Sequence, residues 1–457
     1  MPVSPVLAPL STDEYAPRSL APRDLRARAR AADAAQHNAA PLGLDELAYS
    51  ADRTGLAATL RAVDVEAGGG FFEVAPSAAS DPAVADAAFS GDELVVDVQT
   101  HLVRPSRART AAAAALWGFL RSVDPDRWGS GVDARLLAAP AWATAVFGGS
   151  ETAVALVTSP PGPGPDNVVT NDDLAATREI VDRYAGTGRV LTHTIVHPNL
   201  GPAELDAMAG WSEVLRPAGW KVYTLWEAPG AGDGRGWFLD DEACGVPFLE
   251  RVREVGPHIV CAHKGLSGPI ANLAPAGASP RDIGPAAAAF PDITFVVYHS
   301  GFEIRADVDG DGVGGDPAGG VGRLAESLRL ARIAPGSNVY AELGSTWYLV
   351  LRRPEVAAHV LGTLLQAVGE DRILWGTDSV WYGPPQFLID AFRAFQIPER
   401  FQAEFGYPPL TARAKRKILG ENAARLYGID AERARSWRDA SREWLPGAAG
   451  ELAARLP

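Results

Sequence analysis

Cysteine is nearly missing from this chain: Cys244 and Cys261 are the only two in 457 residues. So few thiols in so long a chain do not describe a disulfide framework, and a reducing cytoplasm is the expected compartment. Long apolar runs are missing as well. No stretch approaches the roughly 20 residues that a bilayer span needs, and the opening MPVSPVLAPLST lacks a basic region followed by an apolar one, so neither a membrane span nor export is expected. Positive charge is short: 42 Lys and Arg stand against 56 Asp and Glu, a formal net charge of −14 with no compensating basic tract. Such a balance works against phosphate backbones and anionic lipid, which removes nucleic acid from the expected partners. No G-x-G-x-x-G or P-loop follows the first apolar run, which argues against a nucleotide-binding α/β sheet.

What is present is 47% hydrophobic and 21% charged residues, enough apolar surface for a sizeable core in a globular protein. Residues 1–40 are rich in Pro, Ala and Arg and read as an arm without an evident partner face, which makes a homodimer through that arm an expectation to test. Residues 41–90 read as a cap containing one helix, LGLDELAYSADRTGLAATLRAV, before a Gly-rich break at 68–70. From there short apolar runs recur: LVVDVQTH at 94–101, TAVALVTS at 152–159, RVLTHTIVHP at 189–198, GWKVYTLW at 219–226, HIVCAHKG at 258–265, ITFVVYHSG at 293–301, NVYAELGS at 338–345 and RILWGTDS at 372–379. Helical patterns fill the gaps. Eight strands alternating with helices predict an α/β fold, a (β/α)₈ TIM barrel over 91–430, with the N-terminal extension before it and a helical tail at 431–457.

The polar residues fall in one place. His101, His263, His299, Glu342 and Asp378 all end predicted strands, and the C-terminal rim is where this fold assembles its chemistry. Imidazole and carboxylate are the ligands of a divalent first-row metal, so His101, His263 and Asp378 are the expected ligands of one ion. In DVQTHL, period-two alternation places Asp97, Gln99 and His101 on one inward face.

DVQTHL on the first strand, AHKGL at 262–266, YHSG at 298–301, WGTDS at 375–379 and ILGENAARLYGI at 418–429 together resemble the amidohydrolase superfamily. More narrowly the chain is similar to the amidohydrolase-2 branch, which includes aminocarboxymuconate-semialdehyde decarboxylase and γ-resorcylate decarboxylase. The resemblance covers roughly 90–430 and implies a metal-bearing barrel. In that family the first strand carries H-x-H, whose second His matches His101, while His263 and Asp378 match the ligands of strands five and eight. His299 matches the strand-six His that acts on substrate. Gln99 stands where the family has a first His; its neutral amide is a weaker ligand for zinc than imidazole or carboxylate and suits a harder ion. The expected cofactor is one divalent ion, zinc first and manganese second.

Around this centre, Lys221 begins the fourth strand and Glu342 is placed to orient an imidazole N–H. Trp226, Trp347 and Trp381, with Tyr223, Phe302, Tyr348 and Tyr382, crowd the rim as a wall for an aromatic substrate, and Arg305 is a candidate carboxylate anchor. His193 and His197 share a face of the third strand. The loop DVDGDGVGGD at 307–316 has the Asp spacing of a calcium loop, but its twelfth position is Ala318. The leading functional expectation is a metal-dependent hydrolase of a small amide, cyclic amide or ester-like bond, with Asp378 as base and His299 polarising the carbonyl. A non-oxidative decarboxylase of an aromatic or dienoic acid comes next. Gln99 keeps open a metal-free hydrolase or a barrel that only binds. In each reading the partner is a small, anionic or aromatic molecule.

Overall fold

The computed structural model describes residues 4–8, 12, 20–162, 164, 166–227, 234–266, 276–303, 320–437 and 441–457. The eight apolar runs become eight strands: β1 Val96–His101, β2 Val154–Thr158, β3 Val190–Ile195, β4 Gly219–Tyr223, β5 Ile259–His263, β6 Thr294–Tyr298, β7 Val339–Glu342 and β8 Ile373–Leu374. Each pairs in parallel with the next. Backbone bonds from Val98 N to Trp375 O at 3.0 Å and from Asp378 N to Gln99 O at 2.9 Å, with a parallel bridge between Thr100 and Ser379, draw β1 and β8 together. The result is a (β/α)₈ barrel.

The strands are near-continuous apolar runs because both of their faces are covered. Ala155, Val157, Phe295 and Val297 join the core between strands and helices, while Val154, Leu156, Val296 and Tyr298 belong to a second cluster with Val96 and Cys261. Strict alternation fails once, and at the site. β1 pairs Asp97 with Ala155 and Thr100 with Val157, so two residues, Val98 and Gln99, stand against one on β2. This bulge puts Asp97 in phase with the outer row and His101, opposite Thr158, in phase with the inner one. Asp97 therefore does not share the face of His101. Its carboxylate instead accepts from Thr377 N at 3.0 Å and from the Thr377 hydroxyl at 2.5 Å, tying β1 to the segment after β8.

The expected single helix in the cap is two, Glu46–Ala51 and Arg53–Glu66, because Asp52 ends the first and caps the second by accepting from Thr54 N at 2.9 Å. Helix Pro22–Asn38 lies along the second of these, with Arg26 and Arg30 donating to Glu66 at 2.7 and 3.1 Å. Val6 and Leu7 are buried, and the Ala8 carbonyl accepts from Tyr348 OH at 2.7 Å. The described part of the N-terminal arm is thus packed on its own barrel. The C-terminal helix Ser441–Arg455 flanks the other side, where Trp444 meets Phe147 edge-on at 5.5 Å. Among the described residues no helix is long and apolar enough to cross a membrane.

One buried ion pair fastens the arm. Arg353, 3% exposed in its side chain, holds both oxygens of Asp24, which is 2% exposed. Asp24→Ala removes both of these buried contacts from the guanidinium and is expected to cost about 3–5 kcal/mol. Urea unfolding measures it; a variant within error of the wild type would show that the pair does not secure the arm.

Candidate active site

The ends of β1, β5, β6, β7 and β8 bring Gln99, His101, His263, His299, Glu342 and Asp378 together at the barrel's C-terminal rim, none more than 1% exposed. Hydrogen bonds set each ring. His101 Nδ1 donates to the Thr158 carbonyl at 3.0 Å, which leaves Nε2 facing inward. His299 is fixed the same way through Nδ1, 2.8 Å from Gly344 O. Glu342 holds the turn beneath: Oε2 accepts from His299 N at 2.9 Å and Oε1 from Gly344 N. Burial pushes the Glu342 carboxyl up to about 7. His263 stands edge-on to His299, ring centroids 4.8 Å apart, and 5.2 Å from Tyr223.

Asp378 is the hub. Its Oδ1 accepts from Gln99 Nε2 at 2.9 Å and lies 2.9 Å from His101 Nε2. Its Oδ2 accepts from the Ser345 hydroxyl, which is itself 2.5 Å from Tyr382 OH. Gln99 Nε2 is also 3.4 Å from both His101 Nε2 and His299 Nε2. A carboxylate and two imidazoles therefore converge on one carboxamide. The backbone is bent to achieve this: His299, Ser300, Ser345 and Asp378 have φ of 58°, 53°, 52° and 59°, the left-handed region that non-glycine residues avoid. Such strain persists only where the surroundings over-determine it.

Among the described residues, no three His, Cys, Asp or Glu side chains by themselves form a group that could hold a metal ion. The donor set fits a divalent ion once Gln99 is counted. Donors sharing an ion at a bond length of about 2.1 Å sit about 3.0–3.4 Å apart, and the Gln99, His101 and Asp378 atoms are separated by 2.9 and 3.4 Å. Among the described residues Gln99 Oε1 is buried without a hydrogen-bond partner. A half-turn of the amide would bring that oxygen to face the same point, and an orphan acceptor beside such a cluster is what a bound ion satisfies.

The other residues expected from sequence divide. Lys221 Nζ lies over the Tyr298 ring, 3.3 Å from its centroid, inside the barrel. His193, whose imidazole burial pushes down to about 3, lies there too, its Nδ1 2.6 Å from Tyr298 OH. Trp226 packs edge-on to Tyr223 at 6.0 Å. Trp347 is a core residue: its indole N–H donates to Leu388 O at 3.0 Å and its ring packs on Phe392 and Phe395. The Trp381 carbonyl accepts from Arg127 at 2.6 Å. Tyr348 stacks on Tyr382 with centroids 4.2 Å apart. Arg305 and the 307–316 loop lie outside the described residues. Sequence reasoning missed Ser345, although it closes the run NVYAELGS, and it read Tyr382 as a ring and not as a hydroxyl.

Two glycines keep the centre open. A Cβ on Gly376 would overlap Glu342 Oε1, and one on Gly344 would overlap Gln99 Oε1. Gly376→Ala is therefore expected to displace Glu342 and to destabilise the fold by about 1–3 kcal/mol. Thermal unfolding checks this; an unchanged midpoint would mean that Glu342 has room to move.

The family model described as Amidohydrolase matches residues 96–429. No curated protein matches the chain. Similar solved structures include 5-carboxyvanillate decarboxylase from Novosphingobium aromaticivorans, a mutant form with bound manganese and 3-methoxy-4-hydroxy-5-nitrobenzoic acid, at 14% identity and a TM-score of 0.47 over 74% of this chain and 97% of that one. The 2,6-dihydroxybenzoate decarboxylase from Rhizobium is 16% identical with a TM-score of 0.43, covering 74% and 99%. A dihydroxybenzoic acid decarboxylase from Polaromonas, with manganese and 2-nitroresorcinol, is 14% identical with a TM-score of 0.45, covering 75% and 99%. The match over 96–429 spans the whole barrel and every rim residue named above, and the chain belongs to the amidohydrolase family, in its amidohydrolase-2 branch.

Proposed function

We propose that the chain is a non-oxidative decarboxylase of a small aromatic or dienoic carboxylic acid, which reverses the order in which the sequence ranks decarboxylation and hydrolysis. The observation that carries this reading is the state of Asp378. Asp378 Oδ2 accepts from the Ser345 hydroxyl, and that hydroxyl continues 2.5 Å to Tyr382 OH, so a chain of hydroxyls leads to the carboxylate. A carboxylate so held is suited to carrying a proton along a hydroxyl chain.

Decarboxylation asks for different things. A carboxylate loses carbon dioxide more readily when stripped of water, because its charge spreads in the transition state, and the rim residues here are buried. A proton must reach the carbon that bears the leaving group. Asp378 first takes a proton through Ser345 and Tyr382 from solvent and then delivers it to that carbon, the bond to the carboxylate carbon breaks, its electron pair stays with the ring or diene, and carbon dioxide departs. Ser345 and Tyr382 return a proton to Asp378. His299, held by Gly344, orients the acid, and Tyr223, Trp226 and Tyr382 wall the apolar body. His101, His263, Asp378 and the Gln99 amide oxygen are the residues that would hold a divalent ion, which when bound supplies a Lewis-acid grip on the carboxylate. An amide oxygen in the set favours manganese over zinc.

The test is carbon dioxide release from hydroxybenzoic and dienoic acids with manganese supplied. Asp378→Asn is expected to abolish it. Ser345→Ala is expected to lower kcat about 10²-fold with KM little changed, as a lost proton path should. Cleavage of amides or lactones, with no carbon dioxide from any acid, would restore the hydrolase reading.

A further inference from the structure

A cavity of about 190 Å³ opens on the rim away from the catalytic centre, lined by residues that include Asn167, Asp172, Ile195, His197, Glu204 and Trp211. It is built by three segments. His197 follows β3, Asp172 lies in the first turn of helix Asn171–Ala185, and Glu204 and Trp211 come from helix Pro202–Leu215. Asn171 latches two of them, donating to Ile195 O and accepting from Ile195 N at 3.0 Å each. Asn167 closes the floor against Ser159, 2.7 Å from its hydroxyl.

The lining is polar in one sense only. Among the described residues it contains two carboxylates and no lysine or arginine. Among the described residues neither Glu204 nor Asp172 has a basic partner; Glu204 accepts only from His197 N, at 3.1 Å. The imidazole of His197 is 5% exposed, borders the cavity, and makes no hydrogen bond through its ring among the described residues. Burial pushes it down to about 4, so it is neutral and can accept a hydrogen bond. Burial also pushes the Glu204 carboxyl up, as expected of a partly buried acid without a counter-charge. Ile195, Val169 and the Trp211 indole supply apolar contact.

We infer that this cavity is a second ligand site, for a small organic ammonium carried on an apolar or aromatic body. Glu204 and Asp172 supply the missing counter-charge, His197 accepts from the ammonium, and Trp211 covers the apolar part. The site shares no residue with the catalytic centre; Ser159 contacts both, its carbonyl accepting from Tyr223 OH at 3.0 Å and its hydroxyl from Asn167 at 2.7 Å. It holds whether the centre decarboxylates or hydrolyses.

The probe is benzylammonium, titrated calorimetrically into the full-length protein, with benzyl alcohol as the uncharged control. Expected are saturable one-to-one binding of the ammonium, no binding of the alcohol, and about tenfold weaker binding in both Glu204→Gln and Trp211→Leu. Asp378→Asn should bind as the wild type does. No saturable binding, equal binding of the alcohol, or a loss confined to Asp378→Asn would each overturn the assignment. Circular dichroism of the two cavity variants separates lost binding from lost fold.

Discussion

A carboxyl group fully removed from water must be given hydrogen-bond partners, and the rim of this barrel is arranged around that requirement at Asp378. Gln99 and His101 from β1 and Ser345 from the segment after β7 each supply a contact to it. Those contacts fix where the strands must end. The left-handed backbone at Asp378, Ser345 and His299 is the cost of turning three chains inward at one level. The β1 bulge belongs to the same arrangement, since without it His101 would leave the inner row or Asp97 would enter it.

Glu342 is the second constraint. Pressed against Gly344 and Gly376, it supports the backbone of His299 and does not reach outward as a ligand would. The centre thus divides into a holding layer, Glu342 with the two glycines, and a reacting layer of Gln99, His101, His263, His299 and Asp378. Ser345 belongs to both, because its hydroxyl touches Asp378 while its backbone forms part of the strained turn.

The barrel was legible in the sequence because parallel strands covered on both faces read as apolar runs, and all eight fell inside such runs. The rim histidines and Asp378 were legible because each polar side chain ended one of those runs. Three things were hidden. The bulge at Val98–Gln99 leaves no mark in a pattern of alternating residues, so Asp97 was assigned to the wrong face. Asp52 splits a continuous helical pattern by capping, which a periodicity reading passes over when the flanking residues suit a helix. Ser345 and Tyr382 are an ordinary serine and one tyrosine among many aromatics, and only the folded chain brings their hydroxyls to Asp378. The cavity beside His197 was hidden for the same reason: its three segments meet only in the folded chain, through Asn171 with Ile195 and Glu204 with His197.

The central claim is that Asp378 moves a proton to carbon and does not activate water. The most direct measurement is turnover of whichever carboxylic acid, amide or lactone the chain accepts, by the wild type and by Asp378→Asn, in heavy water enriched in ¹⁸O, with the product read by NMR and mass spectrometry. One solvent deuteron on the carbon that carried the carboxylate, with no ¹⁸O in the product, is the expected result. Solvent ¹⁸O in the product, with no deuteron on carbon, would contradict it and make Asp378 the base of a hydrolase.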